Sequence, residues 1–335
     1  MSRKEWRDQV VERAIEPDLP IVDAHHHVWE TEAFPPFDPY DHNDLFADIA
    51  DSGHNIIATV YSDSHTSYRK EGPEALRVVG ETDYAERIAQ EGMRRGGNAA
   101  GACAAISPRA NLMLGPAVAE VLDAHAAASP RFRGIRHMTA YDPDVPASAA
   151  TGPGIMMRAD FRAGFAELVR RRLVFDAWLL QPQLPEVIDL ASAFPAATVV
   201  LNHLGGPLRI GRFAASPDHS VAAWQRDMAR LAACPHVFVK LSGLNMGLAG
   251  VDAGSRDRPF TSEEMADAQR GYILTTIDLF GPARCMFASN VPVDTHNASY
   301  AVIWNAFKRL TAGFAAGERQ QLFVETAKRA YRITL

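Results

Sequence analysis

Apolar residues gather in short runs separated by longer mixed stretches. Eight of these runs read as β-strands: Ile21–Val28, Asn55–Tyr61, Ala99–Ile106, Phe132–His137, Leu173–Leu180, Thr198–His203, Val237–Ser242 and Cys285–Ser289. Most are continuously apolar rather than alternating, which is the pattern of strands buried on both faces of a parallel sheet. Helical stretches lie between several of them. Examples are Pro116–Ala128, Phe161–Arg172 and Pro185–Phe194, the last opening with Pro at a first helical position. Strand–helix alternation repeated eight times predicts an α/β fold, a (β/α)8 barrel over residues 20–335 behind an N-terminal extension of residues 1–19. A doubly wound open sheet is the alternative, but no glycine-rich phosphate fingerprint follows the first run. Two long stretches, Trp29–Gly53 and Gly243–Phe260, follow the first and seventh runs. In a barrel such loops build the active-site face. Tyr40, Phe34 and Phe37 in the first of them suit a lid or a subunit contact.

Composition narrows the class. The 335 residues carry 34 Lys and Arg against 40 Asp and Glu, a net charge of −6, with 47% hydrophobic and 22% charged residues. These values exclude disorder as the main state. The acidic balance argues against a nucleic-acid partner, and the basic triple Arg170–Arg172 reads as the solvated end of a helix. No apolar run is long enough to cross a bilayer, and the charged N-terminus lacks a signal-peptide core. Cys103, Cys234 and Cys285 are far apart and show no metal spacing, which points to buried thiols in a reducing cytoplasm. The expected partner is a small-molecule substrate, and a homodimer is the default assembly.

Candidate chemistry sits where strands turn polar. The first run ends Asp23-Ala24-His25-His26-His27. Residues two apart share a face, so His25 and His27 point into the barrel mouth and His26 points toward the helices. Two imidazoles on one face can grip a divalent metal or polarise a carbonyl. Arg136 and His137 end the fourth run, and Asp176, Trp178 and Gln181 lie in or after the fifth. Asn202 and His203 end the sixth run, Lys240 and Ser242 the seventh, and Ser289, Asn290 and Asp294 follow the eighth. Any one of these is explained by a strand turning polar at the surface; together they describe one pocket. Lys240 can instead form a structural bridge with Asp176 or Asp294, and Asp294 can cap the next helix.

The motifs DAHHHVW, GHNIIATVYSDSHTSYRKEGPEALRVVGE, RFRGIRH, FDAWLLQPQLPEV, LNHLGGP, VKLSGL, RCMFASNVPVD and TAKRAYRI span almost the whole chain. On these residues the chain resembles amidohydrolase family 2 of the metal-dependent hydrolase superfamily, in the lactonase-like branch with pyrone-dicarboxylate and sugar lactonases. The resemblance implies a (β/α)8 barrel that opens a lactone or similar cyclic ester by activated water. Related branches include metal-dependent decarboxylases. The family usually places a metal-binding His at the end of strand five and an Asp at the end of strand eight, where this chain has Gln181 and Asn290. Neutral amides are weaker ligands for a dication, and Asn cannot act as a general base. A divalent metal such as zinc or manganese, held by His25 and His27, would therefore occupy a weakened site.

The expected catalytic group is His25, His27, His203, Asp294 and Lys240. His25, His27 and Lys240 would hold the oxyanion, and His203 or Asp294 would activate water. Arg136 would clamp a substrate carboxylate. His137, Trp178, Gln181, Asn290, His65 and Trp29 complete the expected substrate contacts, with Tyr61 a further apolar wall and His296 a further residue at the mouth. The stretches His65–Arg69, Gly247–Phe260 and Thr295–Asn297 are expected to set specificity. The competing readings are a metal-dependent decarboxylase, a lyase or cyclase, and a ligand-binding barrel.

Overall fold

The computed structural model describes residues 3–30, 38–145, 152–251 and 256–335. Phe34, Phe37 and part of the second long loop lie outside these residues. Among these described residues are eight parallel strands: β1 (Pro20–His26), β2 (Asn55–Ser62), β3 (Ala105–Ser107), β4 (Gly134–Met138), β5 (Val174–Trp178), β6 (Thr198–Leu201), β7 (Val237–Leu241) and β8 (Cys285–Phe287). Hydrogen bonding runs continuously through β1-β2-β3 and through β4-β5-β6-β7-β8.

Short parallel bridges join the two groups at both seams. Ile106 meets Phe132 and Arg109 meets Arg136 on one side, and His26 meets Val291 on the other. At the second seam the His27 N–H donates to the Val291 carbonyl at 2.8 Å and the Asn290 N–H to the His25 carbonyl at 2.9 Å. Asp23 reinforces that seam by accepting from the Ser289 N–H at 2.8 Å and the Ser289 hydroxyl at 2.5 Å. The sheet is thereby closed into the (β/α)8 barrel that the apolar runs predict.

A helix follows each strand and shields it: α1 (His42–Asp51), α2 (Val79–Arg95), α3 (Val118–Ala128), α4 (Ala159–Arg171), α5 (Leu184–Ala193), α6 (Pro217–Ala232), α7 (Ser262–Phe280) and α8 (Tyr300–Leu310). Local chemistry sets their starts. Asp41 and Asp44 form a capping box at α1, and Thr261 and Glu264 form one at α7. Phe307 of α8 stacks on Phe287 of β8 with ring centroids 4.5 Å apart.

Several boundaries differ from the sequence expectation. The third strand is only three residues long, because Gly97–Gly101 forms a 3-10 turn instead. A Cβ on Gly101 would stand 2.0 Å from the Ile57 carbonyl, so this Ala-rich run serves close packing rather than pairing. The sixth strand stops at Leu201, and Asn202–Gly205 forms a tight turn in which His203 and Leu204 take φ values of 53° and 54°. Residues before β1 are tied to α7 and α8: Glu12 accepts from the Ser262 N–H at 2.8 Å, and Lys308 donates to the carbonyls of Ile15 and Glu16, each at 2.8 Å.

Candidate active site

β1 turns the alternation of its three histidines into two environments. His25 and His27 bring their Nε2 atoms within 3.0 Å of each other. His25 Nδ1 lies 3.0 Å from Ser62 Oγ and 3.0 Å from Lys240 Nζ. His27 Nδ1 faces the Ser62 carbonyl at 3.2 Å. His26 points the other way, with its Nε2 2.9 Å from Thr59 Oγ1 and 3.8 Å from Cys103 Sγ.

His203 joins the pair from the turn after β6. Its ring centroid is 4.7 Å from that of His25 and 4.9 Å from that of Trp178, and its Nδ1 lies 2.9 Å from Ser242 Oγ. Consecutive left-handed residues project this side chain inward, a strained geometry of the kind found at functional sites. All three imidazoles are buried. Burial, followed by the charges of Lys240 and Arg136, holds His25 and His203 well below the ordinary histidine range; burial and Arg136 do the same for His27. The cluster is uncharged at neutral pH.

Lys240 on β7 pairs with Asp176 on β5 at 2.8 Å, and both are fully enclosed. Asp176 also accepts from Ser107 Oγ at 2.6 Å, Tyr331 OH at 2.7 Å and Asn202 Nδ2 at 2.9 Å. Although burial raises Asp176, the Lys240 charge and these donors bring its carboxyl below the usual range. Burial lowers Lys240 while Asp176 opposes the change.

Asp294 accepts from the Gly243 N–H at 2.8 Å and from Asn290 Nδ2 at 3.0 Å. Burial pushes its carboxyl up to about 7, against the lowering effect of those bonds. Gly243 lies directly beneath His203: a Cβ there would sit 2.5 Å from the imidazole. Asp294, Asn290, His203 and Lys240 therefore belong to one assembly around His25.

Other expected residues take other places. Arg136 is buried, holds its guanidinium 5.9 Å from the Trp178 ring and leaves its Nε without a partner. His137, next along β4, faces the helices instead of the pocket. It accepts from the Leu112 N–H at 3.1 Å and packs on Phe161 at 5.3 Å, because neighbours on a strand cannot share a face. Gln181 is also corrected: its amide donates to the Ser220 carbonyl at 2.8 Å and accepts from the Leu208 N–H at 3.0 Å, so it clamps loops rather than a substrate. Trp29 tilts toward His27 at 6.2 Å and anchors its indole N–H on the Asp38 carbonyl at 3.0 Å. Tyr40 is buried, pairs with Trp29 and donates to Asp48 at 2.9 Å, which rules it out as an exposed subunit contact. Tyr61 is buried and donates to Glu81 at 2.9 Å. His65 bonds Asp63 at 3.2 Å and Arg109 at 2.7 Å at the rim. His296 lines a separate cleft of about 470 Å³ with Tyr40, Asp48 and Tyr300, outside the histidine cluster.

The sequence reading missed Ser62, Asp63 and Glu81. Ser62 and Asp63 lie at the C-terminal end of β2, and the rule applied to the other strand ends would have found them. Glu81 comes from the first turn of α2, and no strand-end signal marks it. The Arg136 guanidinium donates weakly to the Asp63 carbonyl at 3.4 Å, and Glu81 accepts from the Ser64 N–H at 2.5 Å.

The donor set does not fit a closed metal site. Among the described residues no group of three or more His, Cys, Asp or Glu side chains is arranged to hold a metal ion. Gln181 is engaged elsewhere. Asn290 offers one orphaned amide oxygen, a weak ligand, while Lys240 places a cation against His25.

A (β/α)8 barrel with polar residues gathered at the C-terminal ends of its strands has the architecture of an enzyme of the amidohydrolase type. The family model Amidohydro_2 (Amidohydrolase) matches residues 22–333, and the chain belongs to that family. It is 32% identical over 333 residues to the uncharacterized protein y4mH of Sinorhizobium fredii, covering 94% of this chain and 99% of that protein. It is 31% identical over 204 residues to an L-fucono-1,5-lactonase of Burkholderia multivorans, covering 61% of this chain and 64% of that protein. A solved amidohydrolase of Burkholderia multivorans with bound zinc superimposes with a TM-score of 0.71 at 25% identity, covering 94% of this chain and 100% of that one. The chain is an amidohydrolase-superfamily enzyme with lactonase-like relatives.

Proposed function

We propose that the enzyme opens a lactone or similar cyclic ester of a small acidic metabolite with activated water. The observation that carries this reading is Asp294, an enclosed carboxyl pushed up to about 7 and bound by Asn290 and by Gly243, the residue that packs under the His203 ring. A base of that strength is matched to proton transfer at neutral pH. Asn290 cannot take the proton, so the role falls to Asp294, with His203 orienting the water. The Lys240 ammonium, 3.0 Å behind His25, sets a positive field that favours developing negative charge on the carbonyl oxygen. Arg136, with its unpartnered Nε, suits a substrate carboxylate. An ester is a better leaving system than an amide, so this set suffices with no metal step. The lactonase relative supports the same class. Buried Cys103 and Cys285 are free thiols, which supports a cytoplasmic setting.

The test is acid release from a panel of sugar-acid and pyrone-dicarboxylate lactones, followed with a pH indicator. Asp294→Asn and His203→Ala are each expected to lower kcat/KM about 100-fold or more, the scale of a lost acid–base group. In the wild type kcat/KM is expected to fall as pH drops through about 7, where Asp294 gains its proton. Full turnover in both variants would overturn the assignment. Carbon dioxide release without acid release would favour the decarboxylase reading.

A further inference from the structure

Hydrogen placement in the histidine pair follows from its two ends. At one end stands Asp176, which accepts from Ser107, Tyr331, Lys240 and Asn202 at 2.6–2.9 Å. Four donors around one carboxylate keep it an acceptor, and Lys240 is the cation that answers it. An ammonium has donors only. Its N–H toward His25 Nδ1, at 3.0 Å, requires a bare nitrogen there, so the His25 proton is on Nε2. At the other end, the Ser62 carbonyl can only accept. His27 Nδ1, 3.2 Å away, therefore carries its proton, and His27 Nε2 is bare. The two assignments, made independently, meet in the middle: His25 Nε2–H donates to His27 Nε2 across 3.0 Å.

We propose that Lys240 is a positioning residue that sets the tautomers of His25 and His27, so that the pair spends its Nε2 atoms on one another instead of on a divalent metal. A His-x-His metal site needs both Nε2 lone pairs. Here His25 has none to give, and the one on His27 is covered. For His25 to ligate, its proton must move to Nδ1, where the Lys240 N–H already points and two hydrogens would face each other. The inference rests on the lactone reading only for its consequence in turnover; its geometry stands apart from it.

The first test is histidine-selective ¹⁵N NMR on the wild-type protein at pH 7.5. The expected result is His25 protonated on Nε2 and His27 on Nδ1; His25 protonated on Nδ1 would overturn the proposal. The second is Co²⁺ titration read by visible absorption, comparing the wild type with the double variant Lys240→Met, Asp176→Asn, which removes both buried charges together. The variant is expected to bind Co²⁺ at least about tenfold more tightly, the scale on which partners of a ligand tune metal affinity. Equal affinity in the two would overturn the proposal. If the variant does not fold, the wild-type spectrum still decides. Absence of lactone turnover with these tautomers intact would count against the function alone.

Discussion

Asp294, the proposed base, sits in the fold at a cost in stability. Its carboxyl titrates near 7 in the folded chain against a usual 3.8. Between these values the folded state holds a proton that the unfolded state has released. Stability therefore falls as pH rises from about 4 to about 7 and stays at the lower level above that. Asp294→Asn removes the penalty, and Asn290 can turn its orphaned oxygen to the new amide. The variant is expected to gain in Tm over the wild type at pH 8 and to gain less at pH 5, in scanning fluorimetry at both values. The same substitution that is expected to lower turnover should thus stabilise the fold, a trade-off common at active sites. At this scale the sequence was most legible where alternation speaks: His25 and His27 inward, His26 outward. It misled at His137, because Arg136 and His137 were both assigned to the pocket although only one of two neighbours can face it. Glu81 was illegible, since a helix residue reaching a strand end leaves no local pattern.

Among the elements, the turn after β6 and the start of the loop after β7 act as one unit. His203 is pushed inward by left-handed backbone, and Gly243, with φ 75°, leaves room for its ring. Gly243→Ala adds a methyl 2.5 Å from the imidazole in a backbone conformation that Ala resists. It is expected to cost about 1–3 kcal/mol in urea unfolding and to lower kcat/KM further than that loss explains, because His203 must move. The glycines of LNHLGGP and KLSGL were visible in the sequence, but their need for each other was not, since it exists only across two neighbouring strands. The eight strands were legible as apolar runs, whereas their ends were not. The sixth run was read as a strand through His203, yet the backbone turns over Asn202–Gly205 to deliver that side chain. The Ala-rich third run gave way to a turn because small residues there permit close approach to β2.

Across the whole molecule, closure of the barrel brings residues from distant parts of the chain onto Asp176. Ser107, Asn202, Lys240 and Tyr331 approach it from β3, the turn after β6, β7 and the helix Thr326–Tyr331. The overall architecture followed from the repeated alternation of strand and helix, but this convergence was invisible before the barrel closed; only the Lys240–Asp176 pairing was foreseen as one alternative. Tyr331→Phe removes the hydroxyl 2.7 Å from Asp176. It is expected to cost about 2 kcal/mol, the scale of a bond to a charged acceptor, measured by urea unfolding.

That tyrosine also ties chemistry to the order of synthesis. His25 and His27 leave the ribosome early, whereas Tyr331 emerges only after all eight strands are made. Until it docks, Asp176 lacks one of its donors, and the Lys240 charge that disciplines the histidines is less firmly held. A chain still being made can lay down most of the barrel wall, but the last donor to Asp176 arrives only with the closing helix.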